Sequence, residues 1–151
     1  MTVPVSNAQR VAEFHRAIGT ALPTVPAVPD AAELAFRLTL LAEEVAEVQE
    51  AAEQLSATLP RAAPADVLPL AHELTDLLYV TYGALQALGI DGDVAFAEIH
   101  RVNMHKATGP RRADGKQLKP EGWQPADLKR VLGLDQAGMT EVGEPNGTLS
   151  R

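Results

Sequence analysis

Apolar residues recur at spacings of three and four along most of the chain, which is the period of amphipathic helices. The most regular run follows Asp30, where a helix-capping signal stands, and it ends before a proline-rich break. Spacings of four and three alternate there for about three heptads, which predicts a long helix over residues 30–57. Its expected core-facing seam is Leu34, Leu38, Leu41, Val45, Val48, Ala52 and Leu55.

Three more helices follow from local signals. Ser6 and Gln9 form a capping box for a first helix. A third helix begins with Pro69 in its first turn and ends at Gly89, and Asp91 caps a fourth that ends before Gly109. Two apolar stripes accompany the first and third helices and are expected to be buried: Val11, Phe14, Ile18 and Leu22, then Val67, Leu70, Leu74, Leu77, Leu78, Leu85 and Leu88.

Short connections between these helices predict an all-α fold, an antiparallel four-helix bundle followed by a C-terminal basic loop. The composition agrees, because aromatic residues make up only 4% of the chain and Ala and Leu are abundant. Residues 1–132 are predicted to form one domain, in which Trp123 anchors the loop. The Gly, Thr and Asn content from Gly133 onward predicts a flexible tail over residues 133–151.

Composition and charge narrow the function classes. The absence of Cys excludes a disulfide framework and thiol catalysis. No signal peptide or membrane span is evident, so we expect a cytoplasmic protein without a membrane partner. The net charge of −7 argues against nucleic-acid binding, yet residues 101–130 hold eight Lys and Arg against three Asp and Glu. An acidic cluster and a basic segment could hold a cation and a polyanion together; uneven solvated charge is the alternative.

Five acidic residues stand out on the second and third predicted helices, in the patterns EExxE and ExxD. Spacings of three and four make such side chains neighbours, and like charges destabilise a helix unless a cation neutralises them. No Lys or Arg lies between Arg37 and Arg61 to pair with the first set. Ordinary solvated Glu residues are the alternative, but the missing partners favour oxygen ligands for Mg²⁺ or Mn²⁺. The predicted metal ligands are Glu43, Glu44, Glu47, Glu73 and Asp76.

Polar and basic residues further along the chain are candidates for substrate binding. Asn103 and Lys106 interrupt an apolar strip of the fourth helix, and they form either an ordinary polar rim or contacts to phosphate or sugar oxygens. Four cations of the loop could close over a polyphosphate, although each alone resembles a surface residue: Arg111, Arg112, Lys116 and Lys119. We interpret His72, His100 and His105 as structural or exposed.

The two acidic motifs, together with the Asn103–Lys106 segment, resemble the MazG-like all-α nucleoside triphosphate pyrophosphohydrolase superfamily over about residues 5–130. The Gly115–Trp123 stretch is similar to members labelled phosphoribosyl-ATP pyrophosphohydrolase-like. The whole chain most resembles MazG-like dUTP pyrophosphatases. The resemblance implies a homodimeric bundle in which the five acids bind two or more Mg²⁺ ions, with Mn²⁺ as a substitute.

It also implies hydrolysis of dUTP to dUMP and diphosphate, by attack of a metal-activated water on the α-phosphorus. Glu44 would orient or deprotonate that water, Asn103 would contact the nucleotide, and Lys106 and the basic loop would compensate the diphosphate. Val80 stands where some relatives carry a base-stacking aromatic residue, so base recognition is left open among Asn7, Gln9 and His15.

Two alternatives remain, and the sequence argues against a third. One is another nucleoside triphosphate or phosphoribosyl-ATP as substrate, and another is a non-catalytic dimeric helical module. The third, a di-iron bundle, requires paired Glu-x-x-His motifs, and the sequence contains none.

Overall fold

Helices account for all the regular structure in the computed structural model, which describes residues 4–135. Within these residues only an isolated bridge between Arg111 and Gln117 has β character, so the predicted all-α fold is confirmed. Residues 136–151 of the predicted tail lie outside the described part of the chain. The α-helices are α1 (Asn7–Ala17), α2 (Ala31–Thr58), α3 (Leu68–Ala87), α4 (Gly92–Lys106) and α5 (Leu128–Val131). A 3-10 turn, Pro64–Val67, precedes α3.

The first helices begin where the sequence predicts, because polar side chains satisfy their free backbone N–H groups. The Ser6 hydroxyl accepts from the Gln9 N–H at 3.2 Å, and the Gln9 side chain accepts from the Ser6 N–H at 2.9 Å. The Asp30 carboxylate accepts from the Glu33 N–H at 2.8 Å at the start of α2. These bonds confirm both predicted capping signals.

Gly89 ends α3 for a reason that the structure makes explicit. Its φ of +66° lies in the left-handed region, and a Cβ at this position would stand 1.8 Å from the Val25 carbonyl oxygen. The neighbouring Ala27 N–H donates to the Leu88 carbonyl at 3.0 Å. The proline-rich connection between α1 and α2 therefore passes directly against the end of α3, and only glycine fits there.

The chain divides into two compact units, Met1–Phe96 and Ala97–Arg151. In the first unit α2 packs along α3, and α1 packs against α3. Arg37, near the start of α2, lies close to Gly83, near the end of α3. Glu47, in the second half of α2, lies close to Glu73, in the first half of α3. The two long helices are therefore antiparallel neighbours, as the short connection between them predicts.

The seam of α2 does not lie at this helix contact. Leu34, Leu38 and Val45 are 46%, 56% and 42% exposed. The residues of α2 that are buried are Arg37 and Ala51, which lie about 80° and 120° around the helix axis from the mean direction of these three exposed residues. The prediction that the chain buries this seam is wrong at the three exposed positions.

The stripes of α3 and α1 are only partly buried. Val11 of the α1 stripe is 2% exposed, as predicted, and four leucines of the α3 stripe are half-buried. Leu74 and Leu78 are 45% and 57% exposed, whereas the buried residues of α3 are Gly83 and Ala87. On α1, Phe14 is 46% exposed although it was expected to face the core. The most buried residues of α2 and α3 are therefore small or polar, and several of their large apolar side chains are exposed.

In the second unit a buried carboxylate joins α5 to α4. Glu98 is only 4% exposed and accepts two bonds from Arg101, both at 2.7 Å. It also accepts from the Asp127 N–H at 3.0 Å and from Arg130 at 3.4 Å. The hydrogen bonds from Arg101 and from the Asp127 amide lower the pKa of Glu98 to about 2.

Trp123 attaches the preceding loop to α4 in the same unit. Its indole N–H donates to the Val102 carbonyl at 3.4 Å. The Nζ atom of Lys119 lies 3.8 Å from the centre of the indole ring, in a cation–π contact. The loop is therefore held by contacts of its own rather than by regular secondary structure.

We expect Glu98→Gln to lower the unfolding temperature by about 5 °C or more near neutral pH, because a neutral amide binds the arginines and the Asp127 amide less strongly. The folded-state pKa of about 2 lies below the ordinary 4.5, so the carboxylate stabilises the fold above pH 4.5 and loses this effect as the pH falls towards 2. The difference in melting temperature should shrink over that range when followed by circular dichroism. Glu121→Gln, at an exposed loop position, is the control, and a difference that persists at pH 2 would contradict the assignment.

Candidate metal centre

Four of the five predicted metal ligands converge between α2 and α3. One carboxylate oxygen from each of Glu44, Glu47 and Glu73 lies within 4.8 Å of the others. A second set, formed with Asp76, shares Glu73 with the first. Glu43 is exposed and belongs to neither set. The spacings of three and four residues produce this convergence, because they align the acids along one side of each helix.

Within this group, Glu44 is the acid whose negative charge is destabilised by both burial and neighbouring carboxylates. Its side chain is half-buried, and its Oε2 atom is buried without a hydrogen-bond partner among the described residues. Burial raises the pKa of Glu44 first, and the negative charges of Glu47, Asp76, Glu73 and Glu43 raise the pKa further. An unpaired buried carboxylate oxygen costs free energy unless a cation or a proton compensates it.

Basic side chains do not supply that compensation. In the part of the chain that the structure describes, no salt bridge involves Glu44, Glu47 or Glu73. The donor set consists of several carboxylate oxygens, which are the ligands that Mg²⁺ and Mn²⁺ prefer. The residues present therefore fit a divalent cation.

His72 also stands in this group, which the sequence interpretation missed. Its Nε2 atom lies 3.2 Å from a carboxylate oxygen of Asp76, and its ligand atom, that of Glu73 and that of Asp76 all lie within 4.8 Å of one another. The signal in the sequence was the four-residue spacing between His72 and Asp76, which places both on one side of α3.

A buried polar network lies further along the same pair of helices. His15 is 6% exposed; its Nδ1 atom is 2.9 Å from the Gln86 side-chain oxygen, and its Nε2 atom is 3.2 Å from Arg37. Arg37 is 7% exposed and donates to Glu33 at 2.8 Å. Because Arg37 can only donate, Nε2 accepts and Nδ1–H donates to Gln86. The sequence interpretation missed both Arg37 and Gln86.

His15 and Gln9, two of the candidates for base recognition, line a cavity of about 360 Å³ between α1, the following connection and the corner that joins α3 to α4. The third candidate, Asn7, accepts a hydrogen bond from Arg10 at 3.1 Å and is exposed. None of the five predicted acids lines this cavity. The cavity and the acidic group are therefore separate features of the first unit.

The six predicted substrate-binding residues belong to the second unit. Asn103 is exposed, and Lys106 is half-buried in the last turn of α4. Arg112 is paired with Asp114, and Lys119 covers the Trp123 ring. The remaining two, both exposed, are Arg111 and Lys116. Two of the four loop cations thus already have partners within their own loop.

Among the described helices, none combines the length and the hydrophobicity that a membrane span requires. No curated protein matches the chain.

The sequence profile described as phosphoribosyl-ATP pyrophosphohydrolase matches residues 11–103, which is more than half of the chain. The matched segment contains both acidic motifs and Asn103. This match supports the resemblance to the MazG-like nucleoside triphosphate pyrophosphohydrolase superfamily. The chain therefore belongs to the phosphoribosyl-ATP pyrophosphohydrolase family, whose activity is the hydrolysis of a pyrophosphate bond in a nucleotide.

Proposed function

We propose that this protein hydrolyses dUTP to dUMP and diphosphate in a reaction that depends on Mg²⁺. The observation that carries the metal dependence is the buried Oε2 atom of Glu44, which has no hydrogen-bond partner among the described residues, on a residue whose carboxylate converges with those of Glu47 and Glu73. The choice of dUTP rests on the resemblance of the sequence motifs to dUTP pyrophosphatases. Phosphoribosyl-ATP is the second candidate substrate, because the family match names it.

The acids divide into two roles in this proposal. Glu47, Glu73 and Asp76 hold the cations, and Glu43, which lies outside both convergent sets, would join them only after its side chain turns towards the centre. Bound Mg²⁺ would neutralise the phosphate oxygens and make the attacking water more acidic. Glu44 also binds metal, and its buried oxygen orients or deprotonates the water at the α-phosphorus. The desolvation that raises the pKa of Glu44 supports this assignment, because a carboxylate that holds a proton more readily is a better base.

Residues of the second unit are proposed to bind the nucleotide. Asn103 would contact the nucleoside, and Lys106 would compensate the leaving diphosphate. Exposed cations are the simplest anion ligands in the loop, which favours Arg111 and Lys116. The other two cations, which would first exchange their present contacts for phosphate oxygens, are Arg112 and Lys119.

We also propose that the protein is a homodimer in which a second copy covers the outward apolar faces of α2 and α3. Leu34, Leu38 and Val45 lie on one side of α2, and Leu74 and Leu78 lie on one side of α3. Leucines spaced by four along a helix pack well against the same pattern on another helix. A second copy supplies that pattern and removes the exposed surface from water.

The acidic centre is tested by Glu47→Gln, with Glu50→Gln as a matched control. Both residues are exposed glutamates of α2, but only Glu47 contributes to a convergent set. We expect Glu47→Gln to lower kcat for dUTP by about 100-fold or more, because it removes a ligand of the cation that stabilises the transition state. Its melting temperature without metal should not fall, since the change relieves repulsion among the acids. Equal activity of the two variants would refute the site.

The substrate and the bond cleaved are tested together with dUTP, dCTP, dTTP, UTP and phosphoribosyl-ATP. We expect dUTP to give the highest kcat/KM and diphosphate to be the phosphorus product in ³¹P spectra, with no activity in EDTA. In ¹⁸O-labelled water the label should enter dUMP, because the attack is at the α-phosphorus. Stepwise release of orthophosphate would show a different reaction, and a clear preference for phosphoribosyl-ATP would establish the second candidate.

Dimerisation is tested by Leu38→Glu, with Ala57→Glu as the control. Leu38 is an exposed residue of the seam. Ala57 is also exposed, but it lies about 100° around the axis of α2 from Leu38. We expect the wild type and Ala57→Glu to have about twice the chain mass of 16.1 kDa in light scattering, and Leu38→Glu to have the mass of one chain. The physical reason is that a charge buried without a partner destabilises the interface. A monomeric wild type would refute the proposal.

A further inference from the structure

A buried arginine stands at the contact between α2 and α3. Arg37 is 7% exposed, and its guanidinium donates to the Glu33 carboxylate at 2.8 Å and to Nε2 of His15 at 3.2 Å. Replacing a buried ion pair by well-packed apolar side chains is often neutral for stability or even favourable, because the charges must be taken out of water. Stability alone therefore does not explain an arginine at this position.

Gly83 of α3 provides the space that this arginine occupies. A Cβ added to Gly83 would lie 3.3 Å from Nη1 of Arg37 and 3.2 Å from Cε1 of His15. Both distances are shorter than ordinary van der Waals contact, so a side chain at Gly83 would displace the arginine or the imidazole. The imidazole in turn donates from Nδ1 to Gln86 at 2.9 Å, and Gln86 donates to the Ala8 carbonyl oxygen at 2.7 Å. Groups from α1, α2 and α3 therefore meet at Arg37.

Counting along the two long helices relates this contact to the acidic centre. Because α2 and α3 are antiparallel, each step forward along α2 corresponds to a step back along α3. Ten residues forward from Arg37 is Glu47, and ten residues back from Gly83 is Glu73. Carboxylate oxygens of these two acids lie within 4.8 Å of each other. The contact of Arg37 with Gly83 and the acidic centre therefore belong to one register of the helix pair.

The same contact determines how each helix is rotated about its axis. Seven residues make about two turns and return to within about 20° of the same side of a helix. Glu44, seven residues after Arg37, therefore lies on the side of α2 that Arg37 presents to α3. Asp76, seven residues before Gly83, lies on the side of α3 that Gly83 presents to α2. The rotation that buries Arg37 thus also turns these acids towards the other helix.

The geometry of a metal centre is sensitive to this register. Mg²⁺ binds oxygen at about 2.0–2.1 Å, so oxygens on opposite sides of the ion stand about 4.2 Å apart. A slip of one residue would move a side chain about 1.5 Å along the helix and about 100° around it, which separates the acids of the two helices. Apolar attraction has no direction and resists such a slip weakly. A displaced guanidinium would lose its hydrogen bonds in a buried place, which is costly.

We infer that Arg37 is a positioning residue of the acidic centre. Its contact with Gly83, held by Glu33 and His15, fixes the register and the rotation of α2 against α3 at which the acids converge. The hydrogen bonds of its guanidinium in the described chain go to Glu33 and His15 and not to the convergent acids, so Arg37 acts through the helices. This inference rests on the proposed function, which gives the acidic centre its role.

The test uses the full chain, freed of metal with EDTA, and measures the Kd for Mn²⁺ by calorimetry and kcat for dUTP. We expect Arg37→Met to raise the Kd and to lower kcat by about 10-fold or more each, since small displacements of ligands have effects of that size. Both are measured at a temperature at which circular dichroism shows the variant to be folded, where a purely structural role predicts wild-type values. Arg37→Lys keeps the charge and a donor, and it should recover part of the loss.

Two controls separate this effect from the loss of a charge and from the loss of stability. Arg16→Met removes an exposed arginine of α1 and should keep the wild-type Kd and kcat. Glu98→Gln should lower the melting temperature through contacts in the second unit, but it should bind Mn²⁺ with the wild-type Kd.

Gly83→Ala tests the same contact from α3. Alanine favours a helix more than glycine does, so this variant should stay folded. Its Cβ displaces Arg37, and we expect the same rise in the Kd and the same fall in kcat as for Arg37→Met. Thr81→Ala, at an exposed position of α3, is the control and should keep both wild-type values.

The outcomes separate this inference from the proposed function. Wild-type values of the Kd and of kcat in folded Arg37→Met and Gly83→Ala would overturn the inference and leave the metal centre standing. A wild type that binds Mn²⁺ but leaves dUTP intact would refute the proposed function, and the Kd values of the variants would still decide on the inference. A wild type that binds no Mn²⁺ would refute both.

Discussion

Repulsion among carboxylates between α2 and α3 is the constraint on which the rest of this structure depends. Glu44, Glu47, Glu73 and Asp76 approach one another from two antiparallel helices, and burial adds to the cost of their charge at Glu44. Small residues such as Ala51 allow the helices to come close in spite of this. The contact between the helices therefore includes a group of carboxylates that form no salt bridge with Lys or Arg among the described residues.

A buried, ion-paired arginine lies towards the other end of the same helix contact. Arg37 lies seven residues before Glu44, which is about 10.5 Å along α2 on the same side of the helix. Its guanidinium contacts the Glu33 carboxylate and the Nε2 atom of His15, so its position is fixed by neighbours from two helices. One helix contact thus holds an ion-paired arginine towards one end and, towards the other, the carboxylates of Glu44, Glu47 and Glu73, which form no salt bridge among the described residues.

Local features could be predicted from the sequence because they depend on residues close in the chain. Capping by Ser6 and Asp30 and the convergence of the acids follow from spacings of three and four. Burial could not be predicted in this way. Whether Leu38 or Ala51 faces α3 depends on how α2 is rotated about its own axis, and an apolar seam looks the same whether this chain or another molecule covers it. The contacts of Glu98 with Asp127 were missed because they join residues that are distant in sequence.

The exposure of leucines on α2 and α3 and the convergence of the acids are two consequences of one arrangement of these helices. A helix pair that turned its leucines inward would place a low-dielectric core where the carboxylates now meet, and ionised oxygens are costly there. Turning Arg37, Glu44 and Gly83 inward leaves room and polarity for a cation, but it leaves the leucines exposed. The chemistry of the centre and the proposed association of two chains are therefore coupled through the rotation of α2 and α3. A substitution that made the inner face apolar would remove the ligands but would leave the leucines of the outer face exposed.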